Sequence, residues 1–339
     1  MDYRKLIGFS NGSFVVTIPK YWVEKNKLKK GDNIGVEEGS DEIIFYAEGK
    51  SVKKEEKSIT ISMDGKKLSR VKAEIITAYL NNYHTIEIFS KTLEEDAPVL
   101  KGILRNLSGM EIIEQTRQRI VAKDLIDISS IPINSIIRRV DLIARSMMDD
   151  NLLCIDRKCN PDSIIHRDMD INRLYYLGFR VIKNIMDSPK NMKTLNTTSW
   201  NLLVDKIVLR RIEELADAQK RMSSLIAEAG FQGGLREEFK SINKELKERF
   251  CKVMKAYYSN DKQTAHDIQV TGKDIIDRCN KFLENASKVP CHDCNVKKGA
   301  KKSIQESNKI VVSTAIIVEQ TKATSSFIKH IARNVLNVD

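Results

Sequence analysis

MDYRKLIGFSNGSFVVTIPKYWVEKNKLKKGD, residues 1–32, is the stretch from which the rest of the chain is read. Two runs with strand character, Lys5–Phe9 and Ser13–Ile18, flank Ser10-Asn11-Gly12, a turn signal. Pro19 then stands at the start of a short amphipathic helix expected through Asn26. Lys29-Lys30-Gly31-Asp32 closes that helix, and a second β pair is expected from Asn33 to Ala47. Residues 1–30 hold seven Lys or Arg against two acids, and residues 31–50 hold one Lys against six acids. The segment is therefore polarised, with a cationic strip able to neutralise phosphates along a groove. A lobe of about 50 residues is too small to bury a good core alone. Two chains interleaving their hairpins would supply that core, so a homodimer is expected.

The order and wording of this segment resemble the swapped-hairpin DNA-binding domain of the AbrB, SpoVT and MazE type. The resemblance rests on Arg4-Lys5, Gly12-Ser13, the Val16-Thr17-Ile18-Pro19-Lys20 run, Trp22 and Leu28-Lys29-Lys30-Gly31-Asp32. It implies a dimeric domain that binds double-stranded DNA, with contacts expected from Arg4, Lys5, Ser13 and Lys20.

Outward from this lobe, 339 residues suit two or three domains. The net charge of +11 favours an anionic partner without choosing its kind. Aromatic residues make up only 6 %, which argues against a stacking platform for single strands. The first residues are charged and form no signal pattern. The late apolar run Ile310–Val318, broken by Ser313 and Thr314, is too short to span a bilayer. A cytoplasmic protein with reduced cysteines and no membrane insertion is the expectation.

The fold class expected is multidomain and mainly α. Residues 1–50 form the hairpin domain, and 51–67 a polar linker whose short alternating run, Ile59–Met63, is expected to add one strand. Residues 68–131 read as a small α/β lobe, with helices over 68–79 and 95–108, a strand over 85–89, and a hairpin from 112–114 and 119–122. From Pro132 onward the apolar spacing is helical, and breakers divide it into helices at about 133–153, 162–188, 199–229, 235–258, 262–288 and 303–337. This is a six-helix bundle of two three-helix repeats, 132–230 and 235–339.

Asp168 and Asn172 share one face of the second long helix, and Glu213 and Asp217 share one face of the third. Carboxylates from two facing helices can build an oxygen-rich metal site. The plainer reading pairs Asp168, Glu213 and Asp217 with Arg173, Arg210 and Arg211. The stretches Asp168-x-Asp170-Ile171-Asn172-Arg173-Leu174 and Ile212-Glu213-x-Leu215-Ala216-Asp217 resemble the PhoU family of phosphate-uptake regulators. The whole layout resembles an archaeal fused form, with an AbrB-type lobe ahead of a PhoU-type bundle. This resemblance implies metal clusters (a divalent or trivalent ion such as iron, zinc or magnesium) and a link to phosphate supply. Two departures limit it. Asn172 stands where that family usually has an acid, and Lys322 and Ser326 stand where the second repeat should carry Glu and Asp, although Asp274 and Asp277 fit. At most one carboxylate site, in the first repeat, is expected.

Cys154 and Cys159 lie between the first two long helices, and Cys291 and Cys294 between the last two. In an alternating up-down bundle both connections fall at one end, where four thiolates could hold tetrahedral zinc. The alternative is two unrelated loops. Cys251 and Cys279 sit within helices and read as packing residues. The five histidines form no ligand or acid-partnered pattern, and no phosphate-cradling or nucleophile motif occurs. An enzyme is not expected. The function expected is a DNA-binding transcriptional regulator tied to phosphate uptake, partnered by itself, duplex DNA and phosphate transport proteins. The alternative is an adaptor acting on a transporter or kinase, with the N-terminal lobe used only for dimerisation.

Overall fold

The computed structural model describes residues 3–9, 12–39, 41–47, 56–158, 160–187, 189–288 and 301–337. The chain forms two units that meet between Glu56 and Lys57.

In the first unit, β1 (Ile7–Gly8) pairs antiparallel with β2 (Phe14–Val15), with Ile7 opposite Val15. The turn between them uses Gly12 at φ +90°, a left-handed conformation that a side chain would oppose. These strands are shorter than the runs 5–9 and 13–18 expected. A lone two-stranded ribbon is marginal in water and supports few ladder bonds. Pro19 leads into α1 (Lys20–Lys25), and the Asn26 amide donates back to the Trp22 carbonyl at 2.8 Å. Asp32 accepts from the Lys29 backbone N–H at 2.8 Å, which closes the turn. β3 (Ile34–Glu38) and β4 (Ile43–Ala47) form a second antiparallel pair. None of the unit's residues with an assigned burial is buried.

The second unit begins with a four-stranded sheet, order β5-β6-β8-β7. Its strands are β5 (Ser58–Ser62), β6 (Thr85–Phe89), β7 (Met110–Gln115) and β8 (Arg119–Asp124). The helices α2 (Leu68–Leu80) and α3 (Leu93–Arg105) cover the face carrying Ile61, Ile86, Ile88, Ile120 and Ala122. Alternation explains the choice of face, because Ile86 and Ile88 are buried while Glu87 lies between them on the other side. The strand expected at Ile59–Met63 is β5, which pairs parallel with β6, and α2 is the crossover such a pair needs.

The bundle follows: α4 (Ile133–Ile155), α5 (Pro161–Met186), a short α6 (Pro189–Thr194), α7 (Ser199–Ala229), α8 (Gly233–Ser259), α9 (Lys262–Lys288) and α10 (Lys301–Leu336). Side-chain chemistry sets the ends. Asn160 accepts from the Asp162 N–H ahead of α5, and Thr198 accepts from the Asn201 N–H ahead of α7. Gly230 at φ +58° terminates α7 in the left-handed conformation that ends many helices. α4, α5 and α7 pack on one another, α10 packs on α7, α8 and α9, and one continuous apolar core runs through both halves. Close approach of α5 to α7 depends on Gly178, where an added Cβ would fall 2.5 Å from a Leu209 methyl. A buried polar chain crosses this core. The Asn151 amide donates to Gln219, whose own amide donates to the Thr324 hydroxyl, tying α4, α7 and α10 together.

The α/β lobe is joined to the bundle through Arg180 of α5, which is 1 % exposed. Its guanidinium donates to Asp124 at 2.5 Å and to Asn82 at 3.1 Å, and lies 4.1 Å from the Tyr79 ring centre. Lys183, one turn further on, donates to Asn81. No described helix is long and apolar enough to cross a membrane.

Candidate functional site

The residues expected to touch DNA are all exposed. Given the antiparallel register, Arg4 and Lys5 lie at the open end of the first hairpin, from which the chain runs on to Lys20. Ser13 lies at the turn end, where its carbonyl accepts from the Phe9 N–H. Arg4 and Lys5 thus lie at the opposite end of the hairpin from Ser13. Lys20 lies 3.6 Å from Glu24, one turn along α1. This unit also presents large apolar side chains to solvent: Tyr3, Leu6, Phe9, Phe14, Tyr21, Val36 and Ile43 are all more than half exposed.

In the bundle, the first-repeat residues do come together. Asp168 is nearly buried on α5 and accepts from the Asn172 amide at 3.1 Å. Asp217 of α7 faces it, and Lys220 joins the two. The Lys220 ammonium lies 2.7 Å from an Asp168 oxygen and 2.9 Å from an Asp217 oxygen. Arg221 holds the other Asp217 oxygen at 2.5 Å. Arg210 and Arg211 pair with Glu214 instead. Glu213 stays close to this negative charge. Burial, then the Asp217, Glu214 and Asp168 carboxylates, push its pKa up to about 7. Burial works to lower the Lys220 pKa, but the hydrogen bonds and charges of Asp168 and Asp217 outweigh it and the value is raised.

An ammonium, that of Lys220, occupies the position between the two aspartates. Among the described residues no cluster of three or more His, Cys, Asp or Glu side chains is arranged to hold a metal. On α10 Lys322 pairs with Glu319 at 2.7 Å, and Arg278 of α9 pairs with Glu245 of α8. Of the four-cysteine set, Cys159, Cys291 and Cys294 lie outside the described residues. Cys154 is disulfide-bonded, which departs from the expectation of reduced thiols; a sulfur so bonded offers zinc no thiolate. Cys279 is buried, which raises its thiol pKa to about 11.

One feature of the bundle was not read from the sequence. A cleft of about 630 Å³ between α4 and α8 is lined by Arg138, Leu142 and Arg145 on one side, and by Lys252, Lys255 and Tyr258 on the other. Its organiser is Asp141, 3 % exposed, which accepts two bonds from Arg145 and one from the Tyr258 hydroxyl. Arg138 stacks over the Tyr258 ring at 4.3 Å. Burial raises the Asp141 pKa despite these partners. The signal was present: Arg138, Leu142 and Arg145 share one helical face, as do Lys252, Lys255 and Ser259.

No family model, no curated protein and no solved structure matches this chain.

Proposed function

We propose that this chain is a homodimeric, cytoplasmic DNA-binding regulator of transcription linked to phosphate uptake. Its first unit grips duplex DNA, and its bundle receives the signal through a ligand or a phosphate-transport partner. The observation that carries the reading is the first unit itself. It holds a cationic N-terminal segment next to a set of exposed apolar residues with no core of their own. A second copy, interleaving its hairpins, gives those residues an interior and places two sets of Arg4, Lys5 and Lys20 on one assembly. A change in bundle packing or pairing would then alter how the two DNA-binding lobes are held. The basic α4–α8 cleft is a second anion-seeking surface through which a ligand or acidic partner could act.

The test is capture of sheared genomic DNA by the purified full chain at near-physiological salt, followed by sequencing. Enrichment of a few sites, particularly upstream of phosphate-transport genes, is expected. Uniform capture would favour the adaptor reading, with the first unit serving as a dimer clasp.

A further inference from the structure

We propose that the Lys220 ammonium is the resident cation of the α5–α7 carboxylate cluster and excludes a metal ion from it. The argument is geometric first. A hard metal ion binds carboxylate oxygens at about 2.0–2.6 Å. The ammonium nitrogen lies 2.7 Å and 2.9 Å from one oxygen each of Asp168 and Asp217, so a metal bridging those oxygens would overlap it. The tether is short, since Lys220 stands three residues beyond Asp217 on the same helix and reaches across to α5.

Charge agrees with geometry. Asp217 is further neutralised by Arg221 at 2.5 Å, which leaves it a poor partner for a dication. Asn172 fits the same scheme. Its amide donates to the Asp168 oxygen that Lys220 also touches, a role an acid at 172 could not fill without a proton. Asp168 is thus satisfied by one ammonium and one amide, both from the chain. The consequence is structural: the cluster clamps α5 to α7 through groups of the chain itself. This inference does not depend on the DNA-binding reading.

The test is titration of the full chain with Mn2+, followed by electron paramagnetic resonance, because this hard ion favours oxygen donors over thiols. The wild type should leave Mn2+ free. Lys220→Ser should bind one Mn2+ per chain at least tenfold more tightly than wild type, and adding Asp168→Asn should abolish the gain. Two results would overturn the proposal: wild-type binding that Glu213→Ala and Asp217→Ala remove, or a folded Lys220→Ser chain with no gain. Should Lys220→Ser not fold, the wild-type titration decides alone, and Lys220→Arg, which keeps the charge, should also leave Mn2+ free.

Discussion

Asp205 and Tyr257 show how a single pair ties bundle stability to pH. The Tyr257 hydroxyl donates to an Asp205 oxygen at 2.5 Å between α7 and α8. Burial raises the Asp205 pKa against the lowering effect of that hydrogen bond. A folded-state pKa above the unfolded one favours the protonated form on folding. The contribution is therefore full below the unfolded value near ~3.9 and is lost as pH rises through the folded value. Asp205→Asn keeps an acceptor for Tyr257 and removes the charge. It should flatten the pH dependence of thermal unfolding above pH 4 and cost no stability at pH 7. Asp205→Ala should cost about 1–3 kcal/mol, because it leaves a buried hydroxyl unpaired. Thermal unfolding at several pH values checks the first, and chemical denaturation at pH 7 the second. At this scale the sequence was only half informative. One-turn spacing brings out Asp168, Asn172, Glu213 and Asp217, but it does not bring out Lys220. Which cation wins depends on side-chain reach across two helices, a distance that spacing along one helix does not contain.

The long helices were readable at the level of elements because their ends carry local chemistry. Asn160-Pro161, Thr198, Gly230 and Asn260 each mark a boundary within two residues of its expected place. Elements held by tertiary contact were less readable. The Ile59–Met63 alternation signals β5 but not its parallel partner β6, and α6 is too short to show a period. The junction at Arg180 is of the same kind, since its partners Asp124 and Asn82 lie far away in sequence. Breaking a buried ion pair by removing one partner costs about 3–5 kcal/mol, whereas replacing both with apolar groups costs much less. Arg180→Met should therefore lower stability by that amount. The double change Arg180→Met with Asp124→Leu should recover part of it, as read by a double-mutant cycle in urea.

For the whole molecule, the mainly helical character and the β-rich N-terminal part follow from changes in apolar period along the chain. The sequence alone placed the first boundary near residue 50, and the fold puts it after Glu56. Tyr3, Leu6, Phe9 and Phe14 of the N-terminal unit are each more than half exposed. If a second copy covers them, Phe14→Asp should shift the sedimenting species from dimer toward monomer at micromolar concentration, while helical content of the bundle stays unchanged. The decisive measurement is the affinity of the full chain for a captured duplex as a function of salt. With Arg4, Lys5 and Lys20 from each of two chains on phosphates, log affinity should fall against log salt with a slope of roughly −5. Replacing these three residues with alanine should flatten the slope and weaken binding at least a hundredfold. An unchanged slope and affinity in the triple variant would contradict DNA recognition by this lobe.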